Sequence, residues 1–140
     1  MDRLWPRVPL SVATLGGIMI ANAAVFLLWK AWPPAWKWLN RYFISVHSWP
    51  YALSMLGNTF SHQGARHFFL NMFVLWMVGL RLHEDVDRGN FLAIYLATGV
   101  VASFGSMAFS VIRRAFATTS LGASGSLTGI VGAYYTLHSE

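Results

Sequence analysis

Cysteine is absent from the 140 residues, which excludes disulfide bridges and thiolate metal centres. Charge is scarce. Only 11% of residues are Asp, Glu, Lys or Arg, against about a quarter in a soluble domain, so the chain cannot clothe a surface that faces water. Acid is scarcer still: five Asp and Glu stand against ten Lys and Arg, a formal net charge of +5. The basic residues are scattered singly and lack the clustered patch of a nucleic-acid binder; they suit anionic lipid headgroups better. What is abundant is apolar surface, at 56% of residues and a mean hydropathy of +0.48. Composition and length together describe one domain, residues 1–140, embedded in a bilayer.

Ser11 to Trp29 is an apolar run long enough to cross a membrane. It follows Arg3 and Arg7, and Ala21-Asn22-Ala23 mimics a signal-peptidase site. The run continues through AVFLLW, however, so a retained helix over about 11–29 is expected. Ala13, Gly17, Ala21 and Ala24 give it a small-residue face suited to close helix contact.

Residues 30–60 differ in kind, with four Trp, three Pro and three basic residues and no long apolar run. Trp and Tyr favour the headgroup layer and Lys or Arg snorkels beside them. The segment reads as an interfacial loop carrying short amphipathic helices. Further apolar helices are expected over about 65–80, 91–112 and 123–138. The turn RLHEDVDRGN separates the first two, and Gly99, Ser103 and Ser106 form a small-residue stripe on the second. The reading is thus an all-α membrane protein of about four transmembrane helices. Basic residues divide too evenly between the two sides to set its orientation.

Two stretches carry possible chemistry. In FSHQGARHFFLNMFVLW, residues 60–76, His67 and Asn71 are four apart and share one helix face. Such a pair either locks this helix to a neighbour or donates hydrogen bonds to an oxyanion. His62 reads as an interfacial residue, and haem or metal ligation by His47, His62 and His67 has no supporting spacing. In GASG, residues 122–125, Ser124 stands at a helix start, where free backbone N–H groups point outward. Gly125, Gly129 and Gly132 at i, i+4 and i+7 read equally well as a packing face.

Taken together, GASGSLTG on one helix and HxxxN on another resemble the rhomboid family of intramembrane serine proteases. The likeness extends over residues 40–137 and is greatest to the mitochondrial, presenilin-associated-rhomboid-like branch. The resemblance implies a partial rhomboid-like bundle and an intramembrane serine endopeptidase that cuts transmembrane segments of other membrane proteins. It implies Ser124 as nucleophile, and His67, Asn71 and the motif glycine Gly122 around the oxyanion. It also implies helix two buried against helix four, no metal or cofactor, and residence in the mitochondrial inner membrane. No arginine-rich, acid-poor presequence precedes Ser11, so Met1 need not be the true start.

The family draws its general base from a histidine on a sixth helix, and no such helix occurs before Glu140. His138, fourteen residues beyond Ser124, lies about 21 Å along a helix and is out of reach. The isolated 140 residues are therefore expected to be inactive. A fragment of a longer protein is the favoured explanation, over a degenerate relative that binds transmembrane helices without cutting or a half completed by another chain.

Overall fold

In a computed structural model of the chain, residues 8–46, 52–62, 64–113, 119–120 and 124–139 are described. Helix α1, Leu10–Ala31, comes first. A short 3-10 turn, Pro33–Ala35, leads into α2, Trp36–Tyr42, and strand β1, Ser45–Val46, precedes α3, Ala52–Asn58. Helix α4 runs Ala65–Ile112, strand β2 is Thr119–Ser120, and α5 is Ser124–Leu137. The interfacial reading of residues 30–60 thus meets short helices and a two-residue strand. β1 pairs antiparallel with β2 in the register Ser45↔Ser120 and Val46↔Thr119, which ties this loop to the chain just before α5.

The 48 residues of α4 would extend about 72 Å if straight, more than twice the roughly 30 Å hydrocarbon core. They are not straight. Asp87, at φ 68° and ψ 172°, breaks the helix into an arm of residues 65–86 and an arm of residues 88–112. Gly79 packs against the Phe91 ring, and the His83 and Phe91 rings are 5.3 Å apart. Twelve residues of straight helix would separate Gly79 from Phe91 by about 18 Å, so the second arm folds back beside the first. The expected ten-residue turn at 81–90 therefore contracts to a single residue. Asp87 makes this possible by capping the second arm: its Oδ1 accepts the Asn90 backbone N–H at 3.1 Å and its Oδ2 accepts Asn90 Nδ2 at 3.0 Å. Those bonds offset a backbone conformation that costs a non-glycine residue about 1–3 kcal/mol.

α5 lies antiparallel to the second arm. Gly125 faces Ala102, Gly129 faces Thr98, and His138 at the far end comes within 3.6 Å of Asp85. The glycine face read from the sequence is real at Gly125 and Gly129 but not at Gly132, beside which a Cβ would meet nothing. These glycine contacts carry α5 onto the third predicted span, while Leu127 and Ile130 share a core with Met72 and Leu75 of the first arm. α1 completes that core with Leu15 and Ile18.

The small-residue face of α1 corrects the sequence reading. Ala13, Gly17, Ala21 and Ala24 point outward, and the packed face is Ser11, Thr14, Leu15, Ile18, Asn22 and Val25. Small residues permit close approach but bury little area; larger side chains and two buried polar groups make the actual contact. His83 Nε2 lies 3.2 Å from Thr14 Oγ1. Asn22 Nδ2 donates to the Tyr95 hydroxyl at 3.2 Å, and that hydroxyl donates to the Thr59 carbonyl at 3.2 Å. One phenol thus joins α1, the second arm and the loop after α3. Tyr95→Phe is expected to lower stability by about 1 kcal/mol, read as an earlier unfolding midpoint in mild detergent.

Candidate active site

Ser124 is the first residue of α5 and is exposed. Its depth follows from register. Gly125 lies against Ala102, and the second arm continues ten residues past Ala102 to Ile112, about 15 Å. The serine therefore sits below that end of the bundle, within the span. A helix begun inside an apolar layer leaves its first N–H groups without intrahelical acceptors, next to the positive end of the helix dipole. The segment GASGS also contains Ser126, two positions on. Ser126 is fully buried, its Oγ packed by Gly99 and Thr59 with no hydrogen-bond partner among the described residues. Helical spacing separates the two hydroxyls: one faces out, the other faces the core. Gly122 and His47 lie outside the described residues.

His67 and Asn71 stand on the first two turns of α4. Asn71 Nδ2 donates to His67 Nε2 at 3.2 Å, so the pair is bonded to itself along one helix. Asn71 is buried and His67 half-buried. None of the hydrogen bonds among the described residues joins Ser124 to either. All three nevertheless occupy one end of the bundle. Asn58 Nδ2 donates to Ser103 Oγ at 2.9 Å, Thr59 meets Ser126 across Gly99, and the loop then passes through His62 to the start of α4. The stripe read on the third span supplies this junction, since Gly99 and Ser103 are both buried contact points. His138 is at the opposite end, its Nδ1 against the Tyr134 carbonyl at 2.9 Å.

The residue that sequence reasoning missed is His62. The fold buries it: it is 2% exposed, its ring 5.7 Å from the His67 ring and 5.2 Å from Phe68. Neither ring nitrogen makes a well-formed hydrogen bond among the described residues, and the Phe60 backbone nearby only partly favours the protonated ring. Burial, reinforced by neighbouring His67, lowers its pKa from 6.5 to about 4. The imidazole is thus neutral at pH 7. Below pH 6.5 the unfolded chain takes up a proton that the folded chain refuses until about pH 4. Stability is expected to be flat in this respect above pH 6.5 and to fall as the pH drops from 6.5 toward 4. Unfolding midpoints measured across that window should lose part of their slope in His62→Leu. The sequence signal available was its proximity, five residues before His67.

The family described as "Rhomboid domain" matches residues 49–140. "Rhomboid protein 1, mitochondrial" of Saccharomyces cerevisiae is 34% identical over 115 residues, covering 81% of this chain and 33% of that protein. "Presenilin-associated rhomboid-like protein, mitochondrial" of Homo sapiens is 33% identical over 137 residues, 97% of this chain and 36% of that protein. "Rhomboid protease GluP" of Bacillus subtilis is 39% identical over 72 residues, 51% of this chain and 13% of that protein. The chain spans about a third of the length of the mitochondrial relatives it matches. No solved structure matches. With its apolar helices and mitochondrial relatives along nearly its whole length, the chain is a multi-pass integral membrane protein of mitochondria.

Proposed function

The chain belongs to the rhomboid family, and from that premise we propose that the protein carrying it is an intramembrane serine endopeptidase of the mitochondrial inner membrane. Its substrates are transmembrane segments of other membrane proteins. The observation that carries this reading is the position of Ser124: exposed, at the first residue of α5, and below the end of the bundle.

In the proposed reaction Ser124 Oγ attacks the scissile carbonyl and passes its proton to a general base. The carbonyl oxygen becomes an oxyanion that accepts hydrogen bonds from the Ser124 backbone N–H and from the side chains of Asn71 and His67. Gly122 precedes the nucleophile without a Cβ to obstruct the substrate. Collapse of the tetrahedral species expels the amine with the proton, and water then hydrolyses the acyl-enzyme. Among the described residues no histidine beyond the oxyanion pair stands ready as the base, and the family resemblance implies one outside these 140 residues. His138 is at the far end of α5, His83 is paired with Thr14, and His62 has both nitrogens buried.

The test is covalent. A fluorophosphonate probe applied to the full-length protein in proteoliposomes should label one serine, and peptide mapping should place the adduct on Ser124. Absence of any adduct, with a transmembrane substrate still captured, would establish instead a module that binds membrane helices without cutting them.

A further inference from the structure

An open groove of about 280 Å³ runs between α1 and the first arm of α4, lined by Met19, Ile20, Ala23, Phe68, Phe69 and Met72. Every lining residue is apolar. At one end the groove meets the Phe26 and Phe68 rings, stacked with centroids 4.9 Å apart. Lys30 folds back over Phe26, its Nζ 5.7 Å from the ring centroid, so an ammonium group hangs at that end. Arg66 is exposed on the first turn of α4, two residues before Phe68.

Charge is partitioned along the bundle. The end that holds Lys30 and Arg66 also holds Lys37, Arg41 and Arg113, and among the described residues it has no acid. Glu84, Asp85 and Asp87 are all at the opposite end, beside Arg81 and Arg88. The basic end is also the aromatic one. Trp32, Trp36 and Trp38 are exposed there, and Trp36 Nε1 donates to the Trp29 carbonyl at 3.0 Å. Exposed Trp beside Lys and Arg marks the headgroup layer of a bilayer, so the groove opens directly beneath that layer.

We propose that this groove is a binding site for one acyl chain of an anionic phospholipid, whose phosphate is held by Lys30 and Arg66. At about 280 Å³ the groove cannot enclose a transmembrane helix, whose diameter with side chains is about 10–12 Å. An alkyl chain fits both its size and its uniform apolarity. Within a bilayer an apolar groove gains little from hydrophobicity, because lipid tails are as apolar as its walls. Packing alone therefore does not choose among lipids. The basic pair does, at roughly fivefold in affinity per Lys or Arg near an anionic phosphate. The site stands independently of the protease reading.

The experiment uses the full-length protein in phosphatidylcholine vesicles holding a trace of acyl-diazirine phosphatidylglycerol or acyl-diazirine phosphatidylcholine. Adducts formed on irradiation are mapped by peptide mass spectrometry. The anionic probe should label Met19, Ile20, Phe69 and Met72 about fivefold or more above the zwitterionic one. Lys30→Gln with Arg66→Gln should abolish that preference while labelling persists. Ala23→Phe should remove labelling in the groove and leave it elsewhere. Equal labelling by the two probes, or a preference that survives the double substitution, overturns the proposal. So does the absence of groove adducts with both probes, which would mean that another part of the protein covers the groove.

Discussion

Ser124→Ala in the full-length protein is expected to abolish fluorophosphonate labelling and to reduce cleavage of a transmembrane reporter by about 10⁴-fold or more, the usual cost of deleting a serine nucleophile. The structure makes the expectation selective. Ser126, two residues away in the same GASGS stretch, is fully buried against Gly99 and Thr59. Ser126→Ala should therefore keep its adduct on Ser124, with any change appearing in stability. An adduct that persists in Ser124→Ala would sink the assignment, and its mapped position would name the serine that reacts. Asn71→Ala supplies the graded control. Removal of one oxyanion donor costs about 10²–10³ in turnover, so this variant should cleave slowly while still forming the adduct.

The second large effect is structural. A Cβ built on Gly99 would overlap Thr59 Cγ2 and Ser126 Oγ at once. Thr59 is held by its hydroxyl bond to the Leu56 carbonyl at 2.7 Å, and its own carbonyl accepts the Tyr95 hydroxyl at 3.2 Å. Neither neighbour can step aside without breaking the junction between α5, the second arm of α4 and the loop before α4. Gly99→Ala should cost about 1–3 kcal/mol and Gly99→Leu more, read as loss of the folded fraction during denaturant titration in mild detergent. Gly105→Ala, beside which a Cβ meets nothing within 4 Å, should unfold with the unaltered protein. Equal midpoints for Gly99→Leu and Gly105→Ala would show that the junction is not packed in this way.

Much of the fold was legible because a bilayer imposes a simple rule. A span needs a long apolar run, and Leu10–Ala31 and the two arms of α4 supply such runs. Loop 30–60 was marked off by its lack of a long apolar run, and the structure gives it only short helices and a two-residue strand. The reversal at 81–90 was visible only as a charged patch. Its true form depends on one side chain, Asp87, bonding to Asn90 across a backbone angle that no composition rule predicts.

The site divides in a similar way. Spacing alone placed His67 and Asn71 on one face and Ser124 at a helix start, because helical period is a local property. Their chemical character, nucleophile and oxyanion donors, came from resemblance to a family and rests there. Burial is not local: the contacts of Gly99, Gly125 and Gly129 were readable as small-residue faces, but other faces were not. The Ala13–Gly17–Ala21–Ala24 face was expected to pack and points outward, because small side chains bring too little area to outweigh Leu15, Ile18 and Val25. The enclosure of His62 by Phe68 and His67 was not foreseen, because it comes through a loop whose course no periodicity describes. By itself, then, the sequence determined a membrane-embedded helical chain and the residues available for chemistry, since composition and period act within one segment. Only the tertiary structure decided which serine faces out, which glycine bears a contact and which histidine is buried, since each depends on atoms brought together from distant parts of the chain.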